Sequence, residues 1–135
     1  MKTININGKD YTIEELTTIL DNTKKENPML EVYKYHNLTE EQFEEMYKNV
    51  PNHIKAYAKE VLIVGFYNKG WMPNWSNRDE TKYYPWFYLD NFRLNCVGYV
   101  SSDSSCSARL CFKNKSDAED AVKRFFNVYK ESRTC

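Results

Sequence analysis

Residues 82–90 read Lys-Tyr-Tyr-Pro-Trp-Phe-Tyr-Leu-Asp, and this run constrains the fold more than any other stretch of the chain. A proline at its centre bars a helix interior and removes a donor from any sheet ladder. Tyr, Trp and Phe favour pleated, half-buried backbone, so the run reads as a β-strand at 83–89, and Pro85 places it at a sheet edge. Alternation splits it into two faces: Tyr83, Pro85, Phe87 and Leu89 on one, Tyr84, Trp86 and Tyr88 on the other. Both faces are rich in apolar surface, whereas an antiparallel sheet commonly buries only one. The rings of the second face are therefore either covered by a loop or displayed for contact.

Two more strands are expected, at 92–99 and 108–113. Asp90-Asn91 forms the tight turn before the first, and a polar loop at 100–106 (VSSDSSC) precedes the second. In the first, Phe92, Leu94, Cys96 and Gly98 alternate with Arg93, Asn95, Val97 and Tyr99. In the second, Ala108, Leu110 and Phe112 alternate with Arg109, Cys111 and Lys113. With the apolar sets turned to the core, Tyr84, Trp86 and Tyr88 share the outer face with Arg93, Tyr99, Arg109 and Lys113. The Pro/Asn/Ser-rich segment 71–77, which holds Trp71 and Trp75, is the loop placed to cover them.

Upstream the texture is helical. Asn7-Gly8 between two short alternating runs is a type I′ hairpin signal within 2–12. Thr12 with Glu15 forms a capping box and opens a helix to about residue 22, with Ile13, Leu16, Ile19 and Leu20 inward. Residues 24–28 break it, and 30–35 reads as a short strand or an irregular connector. Thr39 with Gln42 starts a second helix to about 49, with Phe43, Met46 and Tyr47 on one stripe. Pro51 opens a third, to about 68, whose later half is apolar nearly all round and reads as the central buried helix. Ser116 with Glu119 starts the last helix, to about 130, burying Ala118, Ala121, Val122, Phe125 and Tyr129, after which 131–135 frays. The expected fold is α+β: an N-terminal β-hairpin and helices, then a three-stranded antiparallel meander closed by a C-terminal helix.

A chain of 135 residues fits a single domain, 1–135. Lys and Arg number 19, as do Asp and Glu, so no net field draws in nucleic acid. Residues 1–65 nevertheless hold 8 Lys against 11 acidic residues, and 66–135 hold 11 basic against 8 acidic. Twelve of the 21 aromatics lie between Phe66 and Phe112, within the basic half, so charge and rings share one region. The opening MKTININGKDY has no apolar h-region, and 61–67 is the longest apolar run, far short of the ~20 residues of a membrane span. The expected location is the cytoplasm, with no membrane association and the four cysteines reduced.

No spacing names a reaction. Cys96, Cys106 and Cys111 lack the close pair that structural zinc sites use, so no metal is expected. A cysteine nucleophile needs a base, and only His36 and His53 could supply one. The carboxylate pairs at 14–15, 40–41 and 44–45 sit on helix starts, where they complement the helix dipole. The glycines are isolated, so no loop is built to cradle a phosphate or a nucleotide cofactor. The expectation is a binding protein without catalysis or cofactor. A protein partner is the first choice and single-stranded nucleic acid stacked on rings beside arginine the second, with a small Cys–His or carboxylate enzyme third.

The pattern Trp71-x-Pro73-x-Trp75, then Lys82-Tyr83-Tyr84-Pro85-Trp86-Phe87, then Arg109-Leu110-Cys111-Phe112-Lys113 resembles a group of small uncharacterised proteins encoded by bacteriophages and mobile elements. The likeness covers roughly residues 55 to 130, including the helix rich in Ala, Leu and Ile before the tryptophan loop. Where that group shows Gly-Ser-Arg-Leu-Cys-Phe, this chain has Ser107-Ala108 before Arg109. The resemblance implies a helix–sheet–helix core at 51–131, an N-terminal addition at 1–50, and a phage-type gene whose product binds a host protein such as a defence complex, in the host cytoplasm. Trp71, Trp75, Tyr84, Trp86, Tyr88, Arg93 and Arg109 are the expected contact residues.

Overall fold

The computed structural model describes residues 2–101 and 108–134. The polar loop with Cys106 falls outside the described residues, apart from its first two positions. Strands β1 (Thr3–Ile6) and β2 (Lys9–Thr12) pair antiparallel, with Ile4 opposite Tyr11. Asn7 and Gly8 turn between them at φ 51° and 83°, the positive values a type I′ turn requires. Helix α1 (Ile13–Glu26) follows at once, and the Thr12 hydroxyl accepts the Glu15 amide at 3.1 Å. The expected inward row is not inward: Ile13, Ile19 and Leu20 are exposed, and among the described residues the buried core takes nothing from before Met29.

Residues 30–35, expected as strand or connector, lie in helix α2 (Met29–Tyr35). Seven residues are too few for periodicity to separate helix from strand, and burial of Met29, Val32 and Tyr33 decides the matter. Helix α3 (Glu40–Met46) has the full capping box, with the Thr39 hydroxyl on the Gln42 amide and the Gln42 side chain on the Thr39 amide. Helix α4 (Asn52–Asn68) starts after Pro51 and ends at Lys69 in the left-handed region. It is the central element, touched by α2, by a 3-10 turn (Ala108–Leu110) and by the two C-terminal helices. It buries Ala56, Ile63 and Val64 but also Glu60 and Asn68, which no hydrophobic pattern flags.

The sheet is smaller than expected. β3 (Lys82–Tyr88) and β4 (Arg93–Val100) form a two-stranded antiparallel ribbon through the turn at 89–92. The third strand of the meander is reduced to one bridge, with Phe112 and Tyr83 exchanging backbone hydrogen bonds of 2.7 and 3.0 Å. The next pair of that ladder would join Pro85 to Leu110, but Pro85 has no N–H to give and Leu110 ends a 3-10 turn. The other edge of the segment is held by Asn68. Its side chain donates to the Cys111 carbonyl and accepts from the Lys113 amide, both at 3.0 Å, taking the two backbone groups that face away from Tyr83. One side-chain amide thus does for the outer edge of this segment what a neighbouring strand would do.

After Asn114, the observed N-cap in place of Ser116, the chain forms α5 (Lys115–Arg124) and α6 (Phe126–Arg133). The single expected helix breaks at Phe125, which leaves helical geometry at φ −120° while its ring enters the core. All five residues of the expected buried stripe, from Ala118 to Tyr129, are buried. The C-terminus is tied rather than frayed through Arg133, because Glu60 on α4 accepts Arg133 Nη2 at 2.9 Å and the Ser132 hydroxyl. Among the described residues, no helix is long and apolar enough to cross a membrane.

Candidate functional site

The register of β3 and β4 sets which side chains share a face. Tyr84 lies opposite Gly98, Trp86 opposite Cys96, and Tyr88 opposite Arg93. Between Trp86 and Phe87 the register shifts, so Asn95 is the extra residue of a bulge. That one insertion exchanges the expected faces of part of β4. Leu94 and Val97 pack against the core behind Phe87 and Pro85, whereas Cys96, expected inward, is exposed beside Trp86. Cys111 is reversed as well: expected outward, it is buried, because its segment follows the 3-10 turn instead of pairing as a strand.

The outer face of the ribbon is a connected aromatic surface. The Tyr84 and Trp86 rings meet edge-on with centroids 5.9 Å apart. Gly98 gives Tyr84 its seat, since a Cβ there would stand 2.8 Å from the ring's Cζ. The Arg93 guanidinium covers the Tyr88 ring at 4.3 Å. Trp86 keeps 47% of its surface exposed and Tyr88 43%, so the 71–77 loop does not seal them. From the other side Phe87 stacks on Phe92 with centroids 4.5 Å apart and meets Tyr129 of α6 at 5.5 Å. The outer rings are thereby carried on a ribbon whose inner face is packed into the core.

The remaining expected contact residues go elsewhere. Trp75 stands over the ammonium of Lys82, 5.1 Å from the ring centroid. Lys82 is fully buried, and its Nζ donates to the carbonyls of Asn74, Asn77 and Ser101 at 2.8, 3.0 and 2.5 Å, with Glu80 at 3.5 Å. This cation pins the tryptophan loop to the end of β4, a role that its position at the head of a strand does not announce. Trp71 and Arg109 line a different feature, a cleft of about 200 Å³ shared with His36, Asn68, Met72 and Cys111. The expected surface of seven residues is thus three groups: Tyr84, Trp86, Tyr88 and Arg93 together, Trp71 with Arg109 in the cleft, and Trp75 on Lys82.

Within the cleft, His36 Nε2 lies 2.8 Å from the Leu62 carbonyl, which can only accept, so Nε2 carries a proton. Gly65 makes room for the ring, since a Cβ would be 3.0 Å from His36 Cε1. His53 lies at the start of α4 in a separate shallow depression with Lys130 and Glu131. Among the described residues no group of three His, Cys, Asp or Glu side chains is arranged to hold a metal ion. Burial drives the Glu60 carboxyl above its usual range against the opposing pull of Arg133, and it likewise raises the Tyr67 phenol, which donates to Asp120 at 2.6 Å. Both groups join helices to one another: Glu60 joins α4 to α6, and Tyr67 joins α4 to α5.

No family model, no curated protein and no solved structure matches this chain.

Proposed function

We propose that this chain acts by binding a protein partner on the outer face of the β3–β4 ribbon, as a phage or mobile-element accessory protein that engages a host macromolecule. Inhibition of a host defence complex is the form of that activity its size and gene type favour. The observation that carries the reading is the half-exposed pair Trp86 and Tyr88 beside Arg93. Trp, Tyr and Arg dominate the energetic centres of protein interfaces because they bury large area at low entropic cost. Rings held by a packed inner face are already arranged for docking, which lowers the ordering cost of association. The balanced charge of the chain agrees with a protein partner, since phosphate-driven affinity needs a basic surface.

The test is affinity capture from host lysate with the wild-type chain and with Trp86→Ser and Arg93→Glu, folding being checked by circular dichroism. The expected result is one stoichiometric partner that both substitutions release. Equal capture by all three proteins, or no partner with the wild type, overturns the reading. A parallel titration with a single-stranded oligonucleotide separates the nucleic-acid alternative. Tight binding that weakens steeply with salt would favour that alternative, and no binding at low salt removes it.

A further inference from the structure

The chain carries both a helix with an unburied apolar row and a groove of the kind that holds such a row. On α1, Ile13, Leu16 and Leu20 stand at i, i+3 and i+7, one stripe of the helix, and Ile13 and Leu20 are each 62% exposed. The core and the side chains packed on it begin, among the described residues, at Met29. A 14-residue helix is marginal in water without a tertiary face, and so is a lone two-stranded hairpin. The folded N-terminal segment therefore calls for a surface to receive it.

Between α3 and α4 lies an apolar groove of about 320 Å³, lined by Leu38, Met46, Tyr47, Ile54, Ala58 and Val61 among others. Its rim is open, with Met46 61% and Ile54 46% exposed. Helix-in-groove recognition reads just such i, i+3, i+7 anchors. Charge does not select the occupant, since Lys55 on α4 already pairs with Glu44 of α3, and the contact rests on its apolar side chains. Only Asn27 and Pro28 separate α1 from α2, and a short hinge favours exchange between copies over folding back.

We infer that α1 of one copy seats Ile13, Leu16 and Leu20 in the α3–α4 groove of a second copy, and that the exchange is reciprocal in a twofold dimer. Reciprocity uses the contact twice and so doubles the area that one seated helix would bury. The dimer uses none of the ribbon's outer rings, so it stands independently of the partner-binding reading.

Sedimentation velocity on the full chain, from about one to a few hundred micromolar, tests this. The wild type is expected to dimerise, and Leu20→Asp and Ile54→Asp each to raise the dissociation constant at least ~10-fold with an unchanged circular dichroism spectrum. Ile13→Asp and Met46→Asp, at the most exposed positions of the two surfaces, replace either variant that misfolds. Mixing the α1 variant with the groove variant is expected to restore a heterodimer weaker than the wild type, because one of its two contacts is then native on both sides. A wild type monomeric throughout, a dimer indifferent to both substitutions, or a mixture that stays monomeric overturns the inference.

Discussion

At the scale of single residues, two groups with no obvious role in the sequence hold the surface in shape. Lys82 donates to three carbonyls and pairs with the Glu80 carboxylate in a buried pocket, so removing its ammonium leaves all of them without that partner. Lys82→Met is expected to cost about 3 kcal/mol in urea unfolding and to shift the fluorescence of Trp75, which loses the cation beneath its ring. Gly98 acts through space. A methyl group there meets the far end of the Tyr84 side chain, which can swing away, so Gly98→Ala should change stability by less than about 1 kcal/mol. The displaced ring should nonetheless weaken partner capture several-fold, measured by titration against the purified partner. Neither effect is legible in the sequence, because a strand lysine and a strand glycine look alike whether or not a loop or a ring lies over them.

Among the elements, several specified by neighbouring residues were legible, although Ser116 with Glu119 was not the cap of its helix, and those specified at a distance were not. Asn7-Gly8 and Thr39 with Gln42 act within a few positions and form as their sequence predicts, and Thr12 caps the Glu15 amide. The third strand fails because Pro85 offers it no N–H and residues 108–110 form a 3-10 turn, while Asn68, more than forty residues away, takes its outward backbone groups. The ribbon's faces are exchanged in part because a bulge at Asn95 breaks the strict alternation on which the reading of Cys96 rests. The α4–α6 pairing is equally distant in sequence and carries its own pH signature. The folded Glu60 carboxyl sits above its ordinary value of 4.5, mainly through burial. The folded state therefore holds that proton more tightly than the unfolded chain does. Glu60's contribution is greatest below the unfolded value and is lost as pH rises through the folded one. The stability of the wild type relative to Glu60→Gln should fall as pH rises above the ordinary value of 4.5, in urea unfolding at several pH values. A difference that rises with pH would mean that the Arg133 pairing outweighs desolvation.

For the whole molecule, a central helix carries a compact core on one side of a two-stranded ribbon, and the ribbon's other face is aromatic and open. The aromatic run of 82–90 was legible as the main feature, as was the division of its rings into two sets. The grouping of Trp71, Trp75 and Arg109 with them was not, because loop and turn residues carry no periodicity from which a face can be read. What remains of the expected contact surface is smaller and more sharply defined: Tyr84, Trp86, Tyr88 and Arg93. Site-specific photocrosslinking in host cells tests it most directly, with the reactive side chain placed in turn at Tyr88 and at exposed Glu119 on α5. One discrete adduct from position 88, absent from position 119 and lost when Trp86→Ser is added, is the predicted result. Adducts of equal yield from both positions, or none from position 88, would contradict it.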